Sequence, residues 1–185
     1  MSTEDKIDIA LLKTVHLAMA ESDNLDIVAT HLSQLLVASL GIKGCTLFVL
    51  NPEANELEVL ASFGLSVNYL NKGPVLFDQS IAHRTRGEVI VISDTGDSTQ
   101  LQYPEATQEE GIRAIVNLPV LFRGKTIGAL RLYEDKPWTP SDRDQDALRI
   151  LAETIGLAMM VTRLATALAA VKETVDSVHG VWLGL

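Results

Sequence analysis

Residues 112–133, IRAIVNLPVLFRGKTIGALRLY, read as a β-hairpin. Ile112–Phe122 and Thr126–Tyr133 are apolar, β-branched runs, and Arg123-Gly124-Lys125 between them has the composition of a turn. Two polar residues, Asn117 and Arg131, interrupt these runs. Whether they share a face depends on the length of the turn, because a one-residue change of register moves a side chain to the other side of the sheet.

Working outward, Glu88–Ile92 is a short β-branched strand, and Lys43–Leu50 and Glu56–Phe63 are two more, joined by the turn residues 51–55. In Glu56–Phe63, strict alternation sets Glu56 and Glu58 on one face and Leu57, Val59 and Ala61 on the other. Residues 5–20 form an expected helix with Ile7, Leu11, Val15 and Ala18 on one stripe. Ser22, Asp23 and Asn24 supply caps for a second helix ending near Leu40, whose apolar face is Val28, Leu32, Leu35 and Leu36. Segments 64–87 and 93–111 are irregular, with a short helix at Asp78–Arg86 and a helical turn at Pro104–Glu110. The last helix opens at Thr139-Pro140-Ser141-Asp142, with Thr139 as cap and Pro140 in the first helical position. This order predicts an α+β fold, with five mostly antiparallel strands and helices before and after them.

Composition narrows the function. The net charge of -9 and pI near 4.8 disfavour nucleic acid and anionic membrane as partners. The acidic, polar start, MSTEDKIDIA, does not read as a signal peptide. The apolar stretch Thr154–Val171 carries Arg163 at its centre, which argues against a membrane span. The one cysteine, Cys45, lies in a strand-like run and is expected to be a buried, inert thiol. With no disulfide framework, the expected compartment is the cytoplasm.

Two ordered groups of residues resemble the GAF domain family: Gly87-Glu88-Val89-Ile90-Val91-Ile92-Ser93-Asp94, and then Asn117-Leu118-Pro119-Val120, Gly124 and Ile127-Gly128-Ala129-Leu130. The resemblance covers roughly residues 20–160 and implies an antiparallel sheet of five or six strands, with helices from both chain ends on one face and pocket loops and short helices on the other. It implies a regulatory, small-molecule-sensing module, because family members bind cyclic nucleotides, bilins, haem or other small molecules, and some bind nothing known. It does not imply a particular ligand. Division of the chain follows: an N-terminal helix at 1–20, the GAF domain at 21–156, and a coiled-coil extension at 157–185 continuous with the last domain helix.

Specialised family chemistry needs residues that this chain lacks. Bilin attachment requires a cysteine in the pocket loops, and segments 64–87 and 93–111 contain none. Reduction of free methionine sulfoxide uses a set of cysteines, which one thiol cannot replace. Asn71-Lys72 and Phe77-Asp78 look like a cyclic-nucleotide signature with the wrong spacing. His83 is the one histidine near the expected pocket and reads better as a surface residue than as a haem ligand. No nucleophile-and-base set or metal motif is legible. The expectation is therefore no enzymatic activity, no cofactor and no metal.

The candidate ligand-binding residues are Tyr69, Asp94, Tyr103, Ile115, Asn117 and Arg131. Tyr69 and Tyr103 each stand near a rigid proline in a pocket loop, where simple packing over the core is the alternative. A guanidinium at Arg131 suits a carboxylate or phosphate, and an ion pair or exposed strand face is the alternative there. Finally, Leu157, Val161, Leu164, Leu168, Val171, Val175 and Val178 follow a strict heptad spacing, while Leu148, Leu151, Ala152, Ile155 and Met159 form a second stripe for the sheet. The helix is thus expected to make a homodimer, by a two-helix seam or a four-helix bundle that includes residues 5–20. The expected partners are an unidentified small molecule, a second copy and a separate signalling protein, unless the chain is a piece of a longer one. A structural dimerisation module with a vestigial pocket is the alternative function.

Overall fold

In the computed structural model of the chain, which describes residues 6–20, 24–78 and 88–183, the hairpin consists of β5 (Ala114–Phe122) and β6 (Lys125–Glu134). Only Arg123 and Gly124 close it, with φ of 50° and 74°. Positive φ at both turn positions matches the right-handed twist of the flanking strands. Phe122 pairs with Lys125 and Leu121 with Thr126, but Val120 then pairs with Gly128. Ile127 is the extra residue of a bulge, and from there on the register is displaced by one. Without it Asn117 would lie opposite Leu130; with it Asn117 lies opposite Arg131.

Around this hairpin the strands run in the order β3-β2-β1-β6-β5-β4, every pair antiparallel. β1 is Gly44–Asn51 and β2 is Glu56–Phe63, while Val75–Leu76 (β3) and Ile90–Ile92 (β4) are the edges. Gly128 allows β1 to pass close to β6, since a Cβ there would stand 2.2 Å from the Phe48 carbonyl oxygen.

Alternation sorts the sheet into two faces. Cys45, Leu47, Val116, Leu118, Leu130 and Leu132 point into a core shared with α1 (Ile9–Ala20), α2 (Leu25–Leu40) and α5 (Asp142–Leu183). Leu36, Leu118, Leu130, Leu132 and Leu148 are fully buried there, each contributing about 1.5–3 kcal/mol. Thr46, Phe48, Ile115, Asn117, Arg131 and Tyr133 share the opposite face. β2 departs from the expected alternation. Its pairing with β1 shifts between Leu47 and Phe48, so Leu60 is bulged. Ala61 therefore packs into the helix-side core while Leu57 packs with Phe48 and Val75 on the other side.

The helix starts also differ from expectation. Asp8 Oδ1 accepts from Leu11 N (2.8 Å), so α1 begins at Ile9 rather than at residue 5. Asn24 caps α2 by accepting from Asp26 N and Ile27 N. Ser141, not Thr139, caps α5: its Oγ accepts from Asp144 N (3.1 Å), and Pro140 precedes the cap. The physical reason is the buried Asp144, whose carboxylate accepts from Lys6 N (3.0 Å) and Ile7 N (2.9 Å) and ties the start of α5 to the N-terminal segment. The expected helix at Asp78–Arg86, with His83, falls on residues outside the description.

The first turns of α5 lie on β5, with Leu148, Leu151, Ala152, Ile155 and Met159 all buried. A Cβ on Gly156 would meet the Leu121 carbonyl oxygen at 2.2 Å, which sets how closely the helix approaches. Beyond this the seam residues Leu157, Val161, Leu164, Leu168, Val171 and Val175 are 53–71 % exposed in the single chain; Val178 lies outside the described side chains. By length and apolar composition alone α5 would suffice to cross a membrane, but its first half is already committed to the sheet.

Candidate functional site

On the sheet face away from the helices, loops and short helices cover the strands and leave a small cavity. Ser66 starts α3 (Val67–Leu70) by accepting from Tyr69 N, and Ser66 itself donates to Glu110 through both its backbone N and its hydroxyl. This anchors Tyr69 over the sheet, 5 % exposed, its ring edge-on to Tyr133 at 5.9 Å. Tyr103 sits just before α4 (Pro104–Glu109) and closes the cavity from the other side. Its hydroxyl donates to the Pro74 carbonyl (2.7 Å), and Gln102 Nε2 donates to the same oxygen (2.9 Å). Gly73 lies under the Tyr103 hydroxyl, where a Cβ would come within 2.7 Å.

The floor is the β5–β6 pair made possible by the bulge. Arg131 is 7 % exposed, donates through Nε to Asn117 Oδ1 (2.9 Å), and lies over the Phe48 ring at 5.0 Å. Asn117 is fully buried, and its Nδ2 has no hydrogen-bond partner. Such an orphaned donor costs about 1–3 kcal/mol. Tyr133, equally buried, touches Thr46 and Arg131, and burial pushes its phenol well above the usual range. Tyr69 is shifted the same way, chiefly by burial.

A second cation completes the cavity. Lys72 Nζ stands 3.8 Å from the centre of the Tyr69 ring and 6.0 Å from that of Tyr103, and donates to the Tyr69 carbonyl (3.0 Å). Partial burial, reinforced by the positive charge of Arg131, lowers its pKa to about 8. A buried guanidinium, a half-buried ammonium, aromatic faces and a few hydroxyls suit recognition of an acidic or polar small molecule. As it stands the cavity holds ≈30 Å³, room for roughly two waters.

Of the candidate residues, Tyr69, Tyr103, Ile115 and Arg131 line this cavity. Asn117 does not line it but holds Arg131 from the adjoining strand. Asp94 is elsewhere. It accepts from Gly96 N (3.0 Å) to cap the 3-10 turn Thr95–Asp97, and pairs with Arg113 Nη2 at 2.8 Å. Arg113 above all holds its carboxyl below the usual range, so its role is to fasten that turn to the strand. Lys72, Gln102 and Thr107 also line the cavity and were not among the candidates. Lys72 was singled out only with Asn71, as part of a cyclic-nucleotide-like signature with the wrong spacing; its place three residues after Tyr69 and just before Gly73-Pro74 is the signal that points to this cavity. Cys45 is fully buried on the helix-covered face, and burial pushes its thiol far above the ordinary value.

The sequence model of the GAF domain family matches residues 24–159. No curated relative matches the chain. Among solved structures, the GAF domain of a phosphoenolpyruvate-protein phosphotransferase from Coxiella burnetii is similar with a TM-score of 0.76 at 18% identity, covering 86% of this chain and 96% of that one. A domain of a putative two-component sensor histidine kinase from Sinorhizobium meliloti 1021 gives 0.64 at 20%, covering 79% and 97%. A free methionine-R-sulfoxide reductase from Neisseria meningitidis, solved with its substrate, gives 0.71 at 13%, covering 89% and 98%. These likenesses are of fold. The six-stranded sheet, with helices from both chain ends on one face and a loop-covered cavity on the other, agrees with the family match over most of the chain, which belongs to the GAF domain family.

Proposed function

We propose that the chain is a small-molecule-sensing regulatory module that works as a homodimer and has no catalytic activity of its own. GAF domains are typically signalling and sensory modules, and the observation that carries the finer reading is the cavity between Tyr69, Tyr103 and Arg131, where buried polar groups converge. A ligand that fits it with the loops at 66–76 and 100–107 rearranged differs in affinity between two states, which is what switching requires. The dimer reading is supported by the unbroken apolar seam of α5, and the non-catalytic reading by a lone thiol buried on the face opposite the cavity. The same buried thiol is in keeping with a cytoplasmic setting. Output then passes to a signalling unit, on a separate protein or on another part of a longer chain.

The ≈30 Å³ of free space favours a second reading, a structural dimerisation module with a vestigial pocket, since ligand sites usually enclose about 300 Å³ or more. A thermal-shift screen of wild type and Arg131→Ala against a small-molecule library separates the two. The sensor reading expects compounds that stabilise the wild type and give a smaller shift with the variant. A library that shifts neither protein leaves only the structural module.

A further inference from the structure

We propose that the cavity takes a small oxyanion, no larger than a short-chain carboxylate, seated between Lys72 Nζ and the Arg131 guanidinium. This rests on the reading of the chain as a small-molecule sensor and names the chemical class of its ligand. Two observations carry it.

The first is charge. Lys72 and Arg131 line one small cavity, and among the described residues Lys72 forms no ion pair, its ammonium being spent on a carbonyl and two aromatic rings. Like charges brought together under partial burial raise the energy of the empty site, and an anion between them reverses the sign of that term. A neutral occupant would leave it in place. Glu110, a carboxylate whose field reaches Lys72, already accepts two hydrogen bonds from Ser66.

The second is size. The free space suits only a few non-hydrogen atoms, and Tyr103 and Gln102, which line it, are both bonded to one exposed carbonyl. Water can replace both bonds, so entry needs no disruption of the sheet.

Sodium formate, acetate and phosphate, with acetamide as the uncharged isostere and chloride at matched ionic strength, are titrated into the full chain. Binding is read by thermal shift and by amide chemical shifts. The expected result is saturable binding of formate or acetate, with shifts at residues 69–76 and 101–107, and none with acetamide. Lys72→Met should lose at least about tenfold in affinity without lowering the Tm of the free protein, because it removes a partly buried charge; Lys72→Arg should restore binding. Tyr69, Tyr103, Arg131 and Glu110 surround Lys72. Affinity should fall about tenfold per pH unit above a pH near 8 as Lys72 loses its proton. Equal binding of acetamide, or undiminished affinity in Lys72→Met, would overturn the proposal. Library compounds that bind this cavity while no anion does would refute the oxyanion and leave the sensor reading standing; silence from both would sink the two together.

Discussion

Charge placed in the α5 seam should split the protein into single chains. Leu157, Val161, Leu164, Leu168, Val171 and Val175 retain 53–71 % of their surface in the lone chain. Complete burial of a Leu or Val contributes about 1.5–3 kcal/mol, so the surface still exposed stands for about 1–2 kcal/mol per side chain. Six such residues on each of two helices give about 12–24 kcal/mol before costs. Association itself costs about 4–15 kcal/mol, and about 8 kcal/mol net corresponds to micromolar affinity. The exposed Ile9 and Leu17 of α1 can add to the same face. In Leu164→Glu/Leu168→Glu the pair loses about 4–8 kcal/mol of apolar gain, and four carboxylates must be desolvated or kept apart. From a net of about 8 kcal/mol, that loss leaves millimolar affinity or weaker. Sedimentation velocity at tens of micromolar should find the wild type at twice 20.1 kDa and the variant at the single-chain mass. Far-UV circular dichroism should change little, because the stripe that docks on the sheet ends at Met159. A monomeric wild type, or a variant that stays paired, refutes the assignment of this helix.

Other perturbations test the fold that positions the cavity. Asp144→Ala strands the Lys6 and Ile7 amides and should lower urea-measured stability by about 2–4 kcal/mol, with Asp144→Asn intermediate; an unchanged midpoint would mean the N-terminal segment docks without it. Gly156→Ala would normally favour a helix by about 1 kcal/mol, but the Leu121 carbonyl 2.2 Å from the new Cβ should reverse the sign, seen as a lower Tm. Cys45, wholly buried with a raised pKa, should not react with a thiol reagent at pH 8 until urea unfolds the chain; rapid native labelling would contradict the core assignment.

The parts of this fold that depend on local chemistry were legible in the residues. Alternation and Gly124 specified the hairpin, the caps around Asn24 specified α2, and the spacing Leu148, Leu151, Ile155, Met159 identified the face of α5 that covers the sheet. The parts that depend on long-range registry were not. One inserted residue at Ile127 decides that Asn117 faces Arg131, and another at Leu60 turns Ala61 away from Leu57; neither residue is chemically unusual for a strand. The candidate site divided in the same way. Arg131 stood out as a charge inside an apolar strand, whereas Lys72, noticed only beside Asn71 in a nucleotide-like pair of the wrong spacing, comes to the same cavity only through the folding of α3 over β6. Asp94 lies away from this cavity, paired with Arg113 nineteen positions on, and pairing across that distance leaves no local pattern.

The central claim is that occupancy of this cavity is felt by the dimer helix. Hydrogen–deuterium exchange on the full chain, with and without a saturating concentration of the compound that most stabilises it, measures this most directly. The account expects slower exchange at residues 66–76 and 100–107, where the cavity is closed, and an accompanying change in α5 beyond Leu157. Stabilisation with no protection in those two loops would place the ligand elsewhere, and protection confined to the loops would show a pocket that binds without signalling.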